Sequence, residues 1–286
     1  MKKLGVFCVV LLATVALFGC SKKSPTATTV VQGRMIFASF SHYTGGGSAP
    51  YYYKDVSIYT DPTPDSAKCS AQMNFGSTQF QLQRKWQYIG EVDLSDTLPF
   101  PFPSACSLFV TTNLGTAKGG GVSSPGSFDI TWPLERDTLP WGNLTVSWTQ
   151  AQNASWYEFN LYYSAYDTTH WLGSGDTTLY PTGTSVTLPQ AFFQRYPSAT
   201  YVSVSIWAGA YSGPAPGAGT SGNVSGDFKG FLVGEGHDHD RNDRYFYMGT
   251  PRLAPGLAHQ PPEIDAATRR QRLLRAYGLP ALRSGT

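Results

Sequence analysis

Apolar and polar residues alternate along most of this chain. In "CSAQMNF", Cys69, Ala71, Met73 and Phe75 fall on one face and Ser70, Gln72 and Asn74 on the other. "CSLFV" sets Cys106, Leu108 and Val110 on one face. Such a two-residue period is that of a half-buried strand. Runs of this kind recur at short spacing from Val30 to about Met248, including "GRMIFASFSHY", "KDVSIYT", "FQLQ", "YIGEVDL", "SFDITW", "NLTVSW", "YEFNLYYS", "TSVTL", "TYVSVSIWA", "GDFKGFLV" and "RYFYM". No helical period of useful length interrupts them. About a dozen strands over about 220 residues predict an all-β protein of two tandem sandwiches of about 100 residues each. The tail differs. "PPEIDAATRRQRLLRAYGLP" has prolines before the start, acids in the first turn, arginines late and Gly278 and Pro280 past the end, which are helix start and stop signals in order. Ile264, Ala267, Leu274 and Tyr277 give that helix only a thin apolar stripe.

An internal echo sets the expected boundary. "PSACSLFVTTNLG" at 103–115, followed by "GGVSSPGSFDI", parallels "PSATYVSVSIWAG" at 197–209, followed by "GNVSGDFKGF". The same hairpin is expected to close each half, with the division near Pro133. The expected segments are a leader at 1–19, a tether at 20–32, sandwiches at 33–133 and 134–250, and a basic helical tail at 251–286.

The second half resembles a fibronectin type III domain. "LTVSW" ending in Trp148 is similar to that family's second strand, "ASWYEFNLYYS" with Tyr157 to its third, and Leu188 and Tyr201 to the residues around its sixth. The resemblance implies a seven-stranded Greek-key sandwich and brings no catalytic residues. The first half resembles an immunoglobulin-like sandwich, with Cys69, Trp86 and Cys106 as its cysteine–tryptophan–cysteine core.

The N-terminus supplies the address. Lys2 and Lys3 precede a nearly unbroken apolar run from Leu4 to Phe18, fifteen residues, too short to span a bilayer comfortably and suited to a secretory leader. Leu17-Phe18-Gly19-Cys20 resembles the lipobox of bacterial lipoproteins. That resemblance implies cleavage before Cys20, its acylation, and attachment to the membrane; Ser21 after it implies the outer membrane of a two-membrane cell. The polar stretch from Ser21 to Thr29 reads as a tether. Of four cysteines, Cys8 leaves with the leader and Cys20 carries lipid. Cys69 and Cys106 then remain on inward strand faces in an oxidising compartment, and a disulfide between them is expected.

Charge and chemistry narrow the function classes. The chain carries a formal +2, 14% charged and 14% aromatic residues, 30 Gly and 20 Pro, without a basic stripe across its globular part, so no nucleic-acid partner is expected. No nucleophile elbow, His-Glu-x-x-His helix, phosphate-binding glycine loop or dinucleotide fingerprint occurs, and no enzymatic activity or cofactor is expected. "GHDHDRND" at 236–243 offers Asp238, Asp240 and Asn242 at the spacing that begins a calcium loop, though Asp243 and Gly249 stand where such a loop needs Gly and Glu. His237 and His239 suit a transition metal instead, and a solvated hairpin tip needs no ion at all. Tyr51, Tyr52 and Tyr53 after a glycine-rich loop suit a sugar face or a protein partner, or ordinary core. The expected role is a lipid-anchored envelope module that binds or scaffolds a protein. A glycan-binding surface lipoprotein is the alternative, and a hydrolase with an unrecognised site the second. Oligomeric state is not legible.

Overall fold

The computed structural model describes residues 33–45, 51–88, 90–98, 105–168, 170–217, 219–250 and 266–279. The leader, Cys20 and the tether lie outside them.

Two β-sandwiches share one sheet. The first half contributes β1 (Met35–Thr44), β2 (Tyr51–Tyr59), β3 (Ser70–Phe75), β4 (Thr78–Gln81), β5 (Arg84–Tyr88), β6 (Glu91–Leu98), β7 (Cys106–Thr112) and β8 (Gly115–Val122). The second contributes β9 (Ile130–Trp132), β10 (Thr138–Leu139), β11 (Leu144–Trp148), β12 (Trp156–Tyr166), β13 (Trp171–Leu179), β14 (Ser185–Leu188) and β15 (Tyr201–Ser212). Then follow β16 (Val224–Gly226), β17 (Lys229–Asp238), a short helix α1 (His239–Asn242), β18 (Asp243–Gly249) and the tail helix α2 (Ala266–Ala276).

The second sandwich sets β9, β11 and β14 against β13, β12, β15 and β18. Its core takes the inward residues of each layer: Val146 and Trp148 from β11, Tyr157 and Phe159 from β12, Val202, Val204 and Ile206 from β15, Phe246 and Met248 from β18. The arrangement agrees with the fibronectin type III-like sandwich that the resemblance of "LTVSW" and its neighbours implies, with Trp148, Tyr157 and Leu188 in the core.

The expected boundary is not where the cores divide. β16 and β17 come after β15 in the chain, yet Val224, Phe228 and Leu232 are buried in the first core beside Ile36, Phe40, Met73 and Leu108. β16 pairs with β8, and β17 runs parallel to β1 over all ten residues, Met35 opposite Lys229 through Thr44 opposite Asp238. The echo therefore does not mark equivalent hairpins: β7 pairs directly with β8, whereas β15 meets β17 only at Ala210–Ser212. Physically, β15 leads into a long excursion that completes the neighbouring sandwich before β18 returns to finish its own. Period-2 alternation identifies a strand but not the sheet it joins.

Two further expectations for the first half are corrected. Cys69 and Cys106 are free buried thiols. Cys106 is paired with Phe75, at the far end of β3 from Cys69. Six residues of strand separate the two positions by about 20 Å, far beyond the roughly 7 Å Cα separation that a bridge tolerates. Trp86 is no core tryptophan: it is 44% exposed on β5, at the edge of the sheet.

α2 docks instead of forming only a thin contact. Leu273, Leu274 and Leu279 are buried with Phe37, Tyr59, Trp156, Tyr211, Phe231 and Val233, a third core drawn from both sandwiches. The Tyr277 ring sits over Phe37 (5.4 Å), Phe231 (4.5 Å) and Trp156 (6.4 Å). The helix ends at Gly278, which takes a positive φ of 72° and lets Leu279 N–H reach back to the Leu274 carbonyl at 2.9 Å.

Candidate functional site

Because β17 pairs with both β1 and β15, one sheet face runs across both sandwiches. Strand alternation sends Ile36, Ala38, Val56, Ile58, Val92 and Leu94 into the first core. The intervening residues, Ser39, Ser41, Asp55, Ser57, Glu91, Asp93 and Ser95, turn to the opposite face, where each is nonetheless buried. Cross-strand register arranges them in rows. Asp93, Ser57, Phe37 and Phe231 form one; Ser95, Asp55, Ser39 and Val233 the next; Thr97, Tyr53, Ser41, Glu235, Tyr211 and Trp156 a third that crosses into the second sandwich.

Polar contacts link these rows to one another and to α2. Ser39 Oγ donates to Asp55, Ser57 Oγ to Asp93, and Ser41 Oγ to Glu235 Oε2 at 3.0 Å. From α2, Arg270 pairs with Asp55 and with Asp93 (3.3 Å), and Nη2 also donates to Ser57 Oγ. Two residues along, Arg272 Nη1 donates to Asn160 Oδ1 at 2.8 Å, on β12 of the second sandwich. Asn160 in turn donates to Glu158 (3.0 Å), which accepts from Tyr211 OH (3.0 Å). Tyr277 OH donates to the Pro214 carbonyl. Two arginines two residues apart, on opposite sides of the helix, thus grip two different sandwiches.

Electrostatics follow from burial. Burial pushes the Asp55 carboxyl up to about 6, against the pull of Arg270 and Ser39 and with help from Asp93 and Glu235. Glu91 is pushed up to about 7, first by burial and then by Asp93. Burial works against the Arg270 charge, but Asp55 and Asp93 together outweigh it and hold the guanidinium charged. The Tyr53 phenol is raised by burial and by Asp55. What this arrangement can do chemically is bind a cationic side chain and hold protons.

The residues singled out by sequence lie elsewhere or serve the backbone. At 236–243 the chain forms the turn α1 rather than a calcium loop. Asp238 caps it by accepting from Asp240 N–H (3.1 Å). Asn242 is buried, its Oδ1 accepting from Asp238 N–H (2.7 Å) and its Nδ2 donating to the Phe128 carbonyl (2.7 Å). Those bonds tie both polar atoms of the Asn242 side chain to the backbone. Among the described residues no group of three or more His, Cys, Asp and Glu side chains converges as a metal site. His237 is buried, with Trp207 Nε1 donating to its Nε2 (2.8 Å) and its Nδ1 3.0 Å from the Ala208 carbonyl. His239 pairs with Asp243 at 2.9 Å. Of the three tyrosines, Tyr52 is half-buried and stacked on His42 (4.9 Å). Tyr53 faces the seam beside Asp55, and the Tyr51 side chain lies outside the described residues. Among the described residues, the exposed rings are Trp86 (44%), Tyr88 (38%), Phe109 (41%), Trp132 (44%) and Trp171 (61%).

Sequence reasoning missed the seam. "KDVSIYT" and "GEVDLSD" alternate as a strand with one wet face alternates, and nothing local says that the polar face is covered. The usable signal was the tail: arginines interleaved with a leucine pair on a helix require acidic or carbonyl partners if the leucines are buried.

No protein-family model and no curated protein matches this chain. Among solved structures, a cytokine receptor complex is similar at 12% identity and TM-score 0.25, over 61% of this chain and 91% of that one. A DUF4785 family protein from Legionella pneumophila is similar at 12% identity and TM-score 0.22, over 59% of this chain and 51% of that one. The ICAM-5 D1–D4 ectodomain fragment is similar at 14% identity and TM-score 0.18, over 69% of this chain and 51% of that one.

Proposed function

We propose that this is a lipid-anchored cell-envelope protein that works as a non-catalytic protein-binding or scaffolding module, held to the outer membrane through Cys20. The observation that carries the reading is the seam. Its carboxylates are committed to serines, to each other and to Arg270, and its arginines tie two sandwiches into one body. We read Asp55 and Asp93 as structural acids, since both face a guanidinium rather than a space for a substrate. A rigid two-sandwich body on a tether suits holding a partner at a set distance from a membrane.

Two measurements test it. Cys20→Ser is expected to move the protein from the membrane fraction to the soluble one, or to leave the leader uncleaved; unchanged fractionation and migration would remove the anchor. Cross-linking in intact cells, followed by purification, is expected to return one specific envelope protein in stoichiometric yield. Recovery of the protein alone, together with turnover of an envelope polymer, would replace scaffolding with catalysis.

A second reading has its own observation. Trp86 and Tyr88 alternate with Gln87, so both exposed rings fall on one face of the edge strand β5. Such a pair can stack on sugar rings. Retardation in polysaccharide gels, abolished by Trp86→Ala with Tyr88→Ala, would favour this glycan-binding reading.

A further inference from the structure

The seam holds more acid than base. On the first-sandwich side four carboxylates, Asp55, Glu91, Asp93 and Glu235, share one face of β2, β6 and β17, and each is buried. Arg270, carried in by α2, pairs with two of them, Asp55 and Asp93. Around it, β1 contributes the neutral hydroxyls Ser39 and Ser41, and β2 contributes Tyr53 and Tyr59. β5 sets Tyr88 opposite Glu91 and Arg84 opposite Ser95, both on its exposed strand. On β12, Glu158 is tied to Asn160 and Tyr211, and Arg272 is bonded to Asn160. One guanidinium is therefore paired with two of the four buried carboxylates. Leaving all four ionised out of water is costly, and a buried carboxylate without its own cation relieves that cost by holding a proton.

We propose that the seam is a proton-operated latch, in which acidification seats α2 across the two sandwiches and rising pH loosens it. With the helix seated, burial holds Asp55 near 6 and Glu91 near 7. With the helix lifted, water reaches both groups and they return toward ordinary carboxylate values of about 4. The seated form thus binds more protons than the lifted form between about pH 4 and 7. The sign follows. These are carboxyls raised in the closed state, so their contribution to closure is complete below ordinary carboxylate values and is lost as pH climbs through 6 to 7. α2 is suited to be the moving part because an eleven-residue helix has little stability of its own and depends on its seat.

The test is hydrogen exchange followed by mass spectrometry on the full mature chain at pH 5, 6, 7 and 8, with exchange times scaled for the intrinsic effect of pH. Peptides covering 266–279 are expected to lose protection by about tenfold or more from pH 5 to pH 8. Peptides from β12 and β15 should change far less. Glu91→Gln, which resembles the protonated acid in shape and charge, should keep α2 protected at pH 8 and flatten the profile. If Glu91→Gln does not fold, Glu235→Gln removes a neighbouring charge that helps raise Asp55 and should reduce the pH dependence. Protection of α2 that does not vary with pH in the wild type overturns the proposal, as does a neutral variant that keeps the full wild-type pH dependence.

Discussion

Arg270 gathers three side chains of the first sandwich onto one guanidinium. It reaches Asp55, Asp93 and Ser57 from a helix whose neighbouring leucines are buried in the third core. Removing one partner of a buried ion pair leaves the other charge stranded, which generally costs about 3–5 kcal/mol. Arg270→Leu is therefore expected to lower stability in urea by about that amount at pH 7, although leucine suits the apolar surroundings. The deficit should shrink toward pH 5, because Asp55, raised by burial to about 6, can then take a proton in place of its lost cation. A deficit of similar size at both pH values would mean that packing, not charge, holds the helix.

Among the elements, β17 has the most demanding position. It is buried along nearly its whole length, runs parallel to β1 and touches β15. Gly230 makes the parallel pairing possible: a Cβ there would lie 1.8 Å from the Ile36 carbonyl oxygen. Neither backbone can move without breaking the ladder. Gly230→Ala is expected to cost several kcal/mol, measured by chemical denaturation, where an exposed-strand Gly→Ala would cost little or even help. A variant within about 0.5 kcal/mol of wild type would show that the register of β17 is not as tight as drawn. Sequence alternation made β17 legible as a strand, and "LTVSW" and "YEFNLYYS" made the second sandwich legible with its core residues. What alternation could not carry was partnership. "GDFKGFLV" has the same pattern whether it closes its own sandwich or its neighbour's. Asp55 and Asp93 have the same pattern whether their face meets water or an arginine two hundred residues downstream. Cys69 and Cys106 failed for the same reason: both point inward, but register puts them at opposite ends of one strand pair. The helix was legible from its start and stop signals, while its seat needed the assembled sheet.

At the scale of the molecule, the two sandwiches are coupled three times, by β17, by the shared third core and by the arginine pair. The first half is consequently not an independent unit. A fragment spanning 33–133 lacks Val224, Phe228 and Leu232 and leaves open the strand pairing that β16 and β17 provide. It is expected to be poorly soluble or to show a weak, broad unfolding transition. The whole chain should unfold in one cooperative calorimetric transition. Two well-separated transitions in the intact protein, or a stable 33–133 fragment, would show that the coupling is weaker than the shared core implies.

The late arrival of β16 and β17 also orders events in time. A ribosome delivers the N-terminal half first, at about 5–20 residues per second. The 99 residues between 133 and Leu232, the last first-core side chain in the chain, therefore take roughly 5 to 20 s to appear. During that interval the nascent first half has its apolar strands but not the partners that cover them. Its core stays incomplete, however strong its local pattern. The growing chain is therefore expected to stay open until nearly all of it exists, the form that a holding chaperone can grip.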